Sequence, residues 1–185
     1  MVYTPPPELA GLSLAQIAEQ VEARKLPPVE RWTPQEEGES GMRIAADGIW
    51  YHDGSPIRRG AMVRAFSGLL TRDGDGAYWL VTPFQKLRIE VEDACFIATD
   101  CRLVEDGIAF RLNTDDLVVA GPDHPLRAAG DPDAPALYVH VRRGCEARLN
   151  RSTYEQLAEI ALARGDDWTV ASGGETYSLL PAAQG

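Results

Sequence analysis

The chain has 185 residues, and its 28 Asp and Glu outnumber 18 Lys and Arg to give a formal net charge of -10. A chain of this length can bury a core of its own without disulfides or metal ions. The negative charge opposes attraction to phosphate backbones and to anionic lipid, so neither nucleic acid nor a membrane surface is an expected partner.

Residues 1–14 lack the basic and apolar regions of a secretory signal, and no later segment reaches the roughly 18 consecutive apolar residues of a membrane span. We therefore expect a cytoplasmic protein. Cys95, Cys101 and Cys145 are odd in number and show no Cys-x-x-Cys spacing, which predicts buried, reduced thiols and no zinc site.

The N-terminal segment is predicted to form one helix and an irregular connector. Ser13 and Gln16 have the spacing of a capping box, so a helix should begin there, and it must end before Pro27. Residues 29–41 are rich in Pro, Glu, Gly and Ser, which is typical of a loop, with Trp32 as its apolar anchor.

A β-hairpin followed by a helix is predicted next. Residues 42–57 contain short apolar runs interrupted by Asp47-Gly48 and Asp53-Gly54, two dipeptides that favour tight turns. Residues 58–70 then have apolar side chains at helical spacing, and the polar residues 71–76 should end this helix.

The central part of the chain is predicted to be β-structure followed by a long loop. Residues 78–119 alternate apolar and polar positions, with turns at 105–107 and 113–116, and fit four or more antiparallel strands. Residues 121–127 and 131–135 are rich in Pro, Gly and Asp, so a loop is expected there.

The hairpin and helix pattern returns near the C-terminus. Residues 138–149 predict two strands joined at Arg143-Gly144, and residues 152–155 have the sequence of a second capping box. A helix with apolar positions should run from there to Gly165, and residues 168–180 are predicted to form a closing hairpin.

These patterns predict an α+β fold with antiparallel sheets and duplicated β-hairpin-helix units. Ile57-Arg58-Arg59 aligns with Leu149-Asn150-Arg151 at the two helix starts. The predicted organisation is an N-terminal helix and connector (1–41), a first hairpin-helix subdomain (42–77) and a larger β-rich subdomain (78–185). A pocket is expected at the seam between the two units.

Three arginines mark the predicted helix starts. Arg58 and Arg59 precede the first of these helices, and Arg151 begins the second. A helix N-terminus already carries partial positive charge, so arginines at that end favour a bound phosphate or carboxylate. The alternative is that they pair with the protein's own acids, such as Asp53 or Glu155.

Lys86 and Arg88 alternate with apolar residues on a predicted strand. Together with Glu92 and Asp93 they fit a site in which the two cations bind an anion and the carboxylates accept ribose hydroxyls. A solvated outer face of the strand explains the same alternation.

His124 lies between Asp123 and Pro125 in the predicted loop, where functional side chains are often placed. The alternative is a hydrogen bond that fixes the loop. His52 and His140 lie elsewhere without metal-ligand spacing, so metal catalysis is not expected.

Several motifs follow one another over nearly the whole chain, and together they resemble one family. They are Leu26-Pro27-Pro28-Val29 with Trp32, Met42-Arg43-Ile44-Ala45, Asp47-Gly48, Gly54-Ser55-Pro56-Ile57, Val63-Arg64 with Phe66, Trp79-Leu80-Val81-Thr82-Pro83, Arg88-Ile89-Glu90-Val91-Glu92-Asp93-Ala94, Gly121-Pro122-Asp123-His124-Pro125-Leu126-Arg127 and Glu146-Ala147-Arg148-Leu149-Asn150-Arg151. The sequence resembles the bacterial domain-of-unknown-function family numbered 1285. The resemblance implies a duplicated core, a C-terminal half superficially like a pleckstrin-homology barrel, and a pocket between the halves. A nucleotide-like ligand and a role in signal transduction have been suggested for this family, for which no activity is established.

The favoured interpretation is a ligand-binding or regulatory protein whose interface pocket takes an anionic, nucleotide-type small molecule. The residues expected to bind it are Arg58, Arg59, Lys86, Arg88, Glu92, Asp93, Asp123, His124, Arg127, Asn150 and Arg151. One alternative is a small hydrolase or transferase with His124 as general base and Asp123 or Asp93 as its partner. Another is a protein-interaction module that pairs through an exposed sheet edge. No catalytic residue, metal or other cofactor is assigned.

Overall fold

A computed structural model of the chain describes residues 13, 15, 16, 19 and 24–182. Residues 15, 16 and 19 are helical. The Ser13 backbone N–H donates to Gln16 Oε1 at 2.8 Å, and the Gln16 N–H donates to Ser13 Oγ at 3.2 Å. The predicted first capping box is therefore confirmed, while most of the helix that it begins lies outside the described residues.

The first half of the chain forms a six-stranded mixed sheet with one helix. Its elements are a 3-10 turn (Val29–Arg31), β1 (Glu36–Ile44), β2 (Trp50–His52), β3 (Ser55–Pro56), helix α1 (Gly60–Ser67), β4 (Leu70–Arg72), β5 (Tyr78–Val81) and β6 (Gln85–Val91). The predicted turns at Asp47-Gly48 and Asp53-Gly54 separate β1, β2 and β3, so the predicted meander and its helix are confirmed.

The second half forms another six-stranded mixed sheet, a helix and a two-stranded hairpin. Its elements are β7 (Phe96–Val104), β8 (Gly107–Leu112), β9 (Leu117–Val119), β10 (Leu126–Asp131), β11 (Ala134–Arg142), β12 (Cys145–Leu149), helix α2 (Arg151–Arg164), β13 (Thr169–Ser172) and β14 (Glu175–Ser178). The closing hairpin predicted for residues 168–180 is β13 and β14.

The two sheets have the same topology. Their strand orders are β3-β2-β1-β6-β5-β4 and β9-β8-β7-β12-β11-β10. Each consists of two antiparallel three-stranded meanders, and the sheets are mixed because the meanders join through one parallel pair, β1 with β6 or β7 with β12. The duplication is therefore confirmed at the level of whole halves.

The helices follow different strands of the repeated topology. Helix α1 follows the third strand of its half, whereas α2 follows the sixth. The alignment of residues 57–59 with 149–151 therefore matches two helix starts that are not equivalent in the repeat. A match of three residues is too short to specify which strands pair, because pairing depends on the register of whole strands.

The sheets divide the chain in the connector between β6 and β7, whereas the predicted boundary falls after residue 77. Strands β5 and β6 complete the first sheet because β6 pairs with β1 in parallel, from Glu36 opposite Gln85 to Ile44 opposite Val91. A parallel pair between distant segments has no turn signal in the sequence.

Three segments predicted to be irregular contain strands. Strand β1 begins at Glu36, inside the predicted connector, and β4 lies where the helix was expected to end in loop. Strands β10 and β11 form a hairpin in the predicted loop of residues 121–135. Pro135 is tolerated there because it pairs with Gly130 at the end of β11, beyond the part that also pairs with β12.

The N-cap position predicted by the second capping box is wrong by two residues. Asn150, in extended conformation, is the N-cap of α2, and its side chain accepts a hydrogen bond from the Thr153 N–H at 2.9 Å. Helix α2 therefore begins at Arg151, before the predicted cap Ser152. Asparagine and serine serve this position equally well, so the sequence pattern alone does not decide between them.

One hydrophobic core includes residues of both halves. Trp50 is 1% exposed and stacks on Phe66 of α1, with ring centroids 6.5 Å apart. On the other side, α2 buries Leu157 and Ala161. The predicted anchor Trp32 is only half-buried, whereas Val29 enters the core.

The three cysteines are free and buried, as predicted. Within the described part of the chain, no helix is both long and apolar enough to cross a membrane.

A buried ionic network connects the halves. Asp116, after β8, accepts from Arg24 Nε and from the Thr114 hydroxyl, the latter at 2.6 Å. Arg64 of α1 and Arg142 of β11 lie 3.8 and 3.6 Å from the same carboxylate. The Asp116 side chain is only 3% exposed, so one buried negative charge faces three arginines.

Candidate functional site

A row of polar side chains runs across one face of strands β10 to β12. Arg127, Tyr138 and Arg148 lie opposite one another in register, and His140 lies opposite Glu146. Since residues two apart on a strand share a face, all five side chains lie on the same side of the sheet. We call this row the polar strip.

Ion pairs hold the middle of the polar strip. Arg127 Nε and Nη2 donate to the two Glu146 carboxylate oxygens at 3.1 and 2.8 Å. The Arg127 guanidinium also lies over the Tyr138 ring, 4.4 Å from its centroid. The hydrogen bond to Glu146 raises the pKa of Arg127, so this arginine is firmly cationic.

Asp93 joins the strip from the connector between the two sheets. The Tyr138 hydroxyl donates to Asp93 Oδ1 at 2.7 Å, and Arg148 Nη1 donates to Oδ2 at 2.9 Å. The pKa of the Tyr138 hydroxyl is raised mainly by burial and also by the hydrogen bond to Asp93. The connector is thereby attached to the second half.

The preceding residue attaches the same connector to the first half. Glu92 forms an ion pair with Arg43 of β1, and its Oε2 accepts from the Ala46 N–H at 2.8 Å. Glu92 is therefore held within the first half by an ion pair and a backbone hydrogen bond.

A cavity of about 460 Å³ lies beside the polar strip, between the two halves. Its walls come from the β1–β2 turn, strands β7, β11 and β12, and the start of α2. They are formed by Ala46, Asp47, Ile97, Pro135, Ala136, Leu137, Arg148, Leu149, Asn150, Arg151 and Tyr154. The predicted position of a pocket, at the seam of the halves, agrees with this cavity.

The N-terminus of α2 forms the most polar wall of this interface cavity. Asn150 satisfies the Thr153 N–H, while the N–H groups of Arg151 and Ser152 have no hydrogen-bond partner within the described ranges. Arg151 Nε lies 3.1 Å from Glu155 Oε1, and the two side chains are 92% and 60% exposed. An ion pair so exposed contributes little and can be exchanged for another anion.

Each of the two histidines at the far end of the strip contacts a backbone carbonyl oxygen. His124 Nδ1 lies 2.9 Å from His140 O, and His140 Nδ1 lies 3.1 Å from Asp123 O. Carbonyl oxygens only accept hydrogen bonds, so each Nδ1 carries a proton and acts as the donor. This is the loop-fixing hydrogen bond predicted as the alternative to catalysis.

Neither predicted carboxylate partner reaches His124. Asp123 contributes its carbonyl oxygen, and it does so to His140. The Asp93 carboxylate is taken by Tyr138 and Arg148. No group of three His, Cys, Asp or Glu side chains suited to a metal ion occurs among the residues that the structure describes.

The remaining predicted cations lie outside the interface cavity. Lys86 forms a 3.1 Å ion pair with Glu37, and its Nζ lies 4.3 Å from the centroid of the Trp79 ring. Arg88 lies over the same ring at 5.5 Å. Arg58 and Arg59 are exposed ahead of α1, where no ion pair or side-chain hydrogen bond of theirs occurs within the described structure.

The structure therefore divides the predicted site. Asn150 and Arg151 line the interface cavity, and Asp93 and Arg127 lie along the polar strip. His124 lies at the far end of that strip with Asp123, whereas the cations of the first half lie elsewhere.

Arg148, Tyr138 and Glu146 belong to the polar strip, and Arg148 also lines the interface cavity. None of the three was predicted as a site residue from the sequence. The pairs 138/140 and 146/148 show the alternation of an outward strand face, and this signal was present in the sequence. It did not reveal the partner Asp93, which lies 45 residues from Tyr138.

Two family models cover most of the chain. The one described as the N-terminal domain of a domain of unknown function, DUF1285, matches residues 27–94, and the C-terminal domain of the same family matches residues 95–179. The chain belongs to the DUF1285 family. The family boundary, between residues 94 and 95, lies in the connector that separates the two sheets.

Solved structures of the family agree with the fold. A DUF1285 family protein from Silicibacter pomeroyi DSS-3 is 37% identical, with 92% of this chain and 96% of that chain covered and a TM-score of 0.77. A DUF1285 family protein from Shewanella baltica OS155 is 23% identical, with 64% and 90% covered and a TM-score of 0.53, and shows likeness of fold alone. No curated protein matches the chain in sequence.

Proposed function

We propose that the protein binds an anionic, nucleotide-type small molecule in the interface cavity and acts through that binding as a regulatory protein. The observation that carries the proposal is the combination of two arginines, Arg148 and Arg151, with the unpartnered N–H groups at the start of a 14-residue helix. Backbone N–H groups, a helix dipole and guanidinium groups together favour phosphate.

The other lining residues suit the rest of such a ligand. Ile97, Leu137 and Tyr154 supply apolar and aromatic surface on which a flat base can pack. Asp47 lies on the β1–β2 turn and offers a carboxylate to a sugar hydroxyl, with one oxygen already accepting from the Ile49 N–H at 3.0 Å. A volume of about 460 Å³ lies within the usual size range of small-molecule pockets.

The regulatory part of the proposal rests on competition for Arg148. This arginine donates to Asp93 of the connector, and the same connector is held to the first half through Glu92. An anion that contacts Arg148 competes with Asp93 for it. Ligand binding would then loosen the second-half attachment of the connector and couple the cavity to the relative arrangement of the halves.

Calorimetry and thermal unfolding with nucleoside monophosphates, diphosphates and triphosphates test the proposal. A ligand at about 100 times its dissociation constant should add roughly 2.7 kcal/mol of stability. Replacing Arg151→Glu should weaken binding by at least about tenfold, because a phosphate then meets a like charge. Arg164→Glu, at the exposed far end of the same helix, makes the same charge change away from the cavity and should leave affinity unchanged.

Two results would refute the proposal. One is the absence of any stabilisation by nucleotides or sugar phosphates. The other is equal affinity of the Arg151→Glu and Arg164→Glu proteins, which would place the anion elsewhere.

A further inference from the structure

A second cavity, of about 710 Å³, lies within the first half and shares no wall residue with the interface cavity. It is lined by strands β1, β2 and β6, with Gly54 and Gly76 of two turns at its rim. Its charged walls are Glu39, Arg43, Arg88 and Glu90, and they carry opposite signs.

A β-bulge shapes this cavity. Strand β1 advances from Glu39 to Arg43 while β6 advances only from Arg88 to Glu90, so β1 bends away from its neighbour. Ser40 Oγ fixes the bulge by donating to the Arg88 carbonyl at 2.7 Å and accepting from the Met42 N–H at 3.0 Å. Bulges of this kind redirect side chains and occur frequently beside functional sites.

The backbone conformation of the bulge favours glycine at position 41. Its φ is 69°, a conformation that favours glycine. A side chain at this position would also collide with the Asp53 carboxylate.

Arg43 is the charged wall residue that is already neutralised. Its guanidinium pairs with Glu92 and lies 4.4 Å from the centroid of the Tyr51 ring. Glu39 lies directly opposite Arg88 in register, yet neither these two side chains nor Glu90 form an ion pair or side-chain hydrogen bond with any described residue. The cavity therefore presents two carboxylates that pair with no described residue, and one guanidinium whose contact is with the Trp79 ring, 5.5 Å from its centroid.

We infer that this cavity binds a ligand with two cationic groups and one carboxylate, the chemistry of a basic α-amino acid. The ligand's carboxylate would pair with Arg88, for which a bidentate contact is the preferred geometry. Its amino and side-chain cations would pair with Glu39 and Glu90. This site is independent of the proposed nucleotide site, because the two cavities have no residue in common.

Titration of the whole protein with L-arginine, followed by NMR and calorimetry, tests this inference. Agmatine, which has the same cation without the carboxylate, should bind about tenfold more weakly because it loses the contact with Arg88. L-glutamate should not bind, since its second carboxylate meets the two wall carboxylates. The result that overturns the inference is an absence of L-arginine binding at millimolar concentration.

Variants separate the two contacts. Arg88→Gln should lower the affinity for L-arginine about tenfold and leave that for agmatine unchanged, whereas Glu90→Gln should weaken both ligands. Lys86→Gln removes the same charge from the same strand, but Lys86 does not line the cavity, so it serves as the matched control. Equal affinities of the wild-type and Arg88→Gln proteins for L-arginine would refute the assignment of Arg88. Arg151→Glu should not change L-arginine binding.

Discussion

Replacing Asp116→Asn removes the charge of the buried network and keeps nearly the same shape. The carboxylate accepts from Arg24 and lies within 3.8 Å of Arg64 and 3.6 Å of Arg142. After the change, the three guanidinium groups lose the negative charge of Asp116. Burial already lowers the pKa of Arg142, which shows that its surroundings disfavour the charge.

The size of the effect follows from how far these groups are buried. Removing one partner of a buried ion pair costs about 3–5 kcal/mol. The side chains of Arg24, Arg64 and Arg142 are 18%, 22% and 14% exposed, so hydration of the guanidinium groups offsets part of the loss. We expect about 3 kcal/mol at the lower end of that range. For a domain of this size this corresponds to a fall in Tm of roughly 6–12 °C.

Urea unfolding followed by circular dichroism measures the loss. Glu155→Gln removes a carboxylate from the exposed Arg151 pair and should cost at most about 0.5 kcal/mol. In the double variant with Arg142→Met, one uncompensated cation is gone, and part of the stability should return. A cost below about 1 kcal/mol for Asp116→Asn would refute the view that this network stabilises the junction of the halves.

Three further outcomes are expected. Asn150→Ala should destabilise the protein by about 1 kcal/mol in chemical unfolding, and Ser152→Ala by much less, because Asn150 is the N-cap; the reverse order would restore the predicted capping box. Gly41→Ala should cost at least about 1 kcal/mol, through its positive φ and the collision with Asp53, and an unchanged unfolding midpoint would contradict this. Burial raises the pKa of Cys101 from an ordinary 9.0 to about 12. The thiol therefore ionises at lower pH in the unfolded protein, and the free energy of unfolding should fall as pH rises between these two values. A Cys101→Ala protein should lose less stability over the same pH range.

Much of the local structure was predictable from residue patterns. Asp47-Gly48, Asp53-Gly54 and Arg143-Gly144 mark real turns, because the backbone conformations of tight turns restrict which residues occupy them. Helices α1 and α2 were predictable from apolar spacing that matches the helical period. Each of these signals depends only on residues that are close together in the chain.

Strands β1, β10 and the start of β11 were not predicted, because their sequences lack a local strand pattern. The run from Glu36 to Gly41 has no apolar alternation, and it is a strand because β6 supplies the hydrogen-bonding partner. The Pro-rich and Gly-rich sequence around β10 likewise becomes a hairpin through register with β11. Pairing with a distant strand overrides local preference in such segments.

The site was predictable only in part. Asn150 and Arg151 were expected at a helix start from the alignment of residues 57–59 with 149–151, and both line the interface cavity. The link from Arg148 and Tyr138 to Asp93 was not found, since it joins a connector to a strand of the other half. Lys86 was grouped with Glu92 and Asp93 in the sequence, whereas in the structure it pairs with Glu37, and Asp93 is bound by Tyr138 and Arg148.

The sequence by itself determined the fold class, the turns, the helices and the acidic surface, since each depends on composition or on short-range periodicity. The tertiary structure decided the pairing of β1 with β6 and of β7 with β12, and with it the two cavities and the polar strip. These features join residues far apart in the chain, and their formation depends on the packing of both halves around one core.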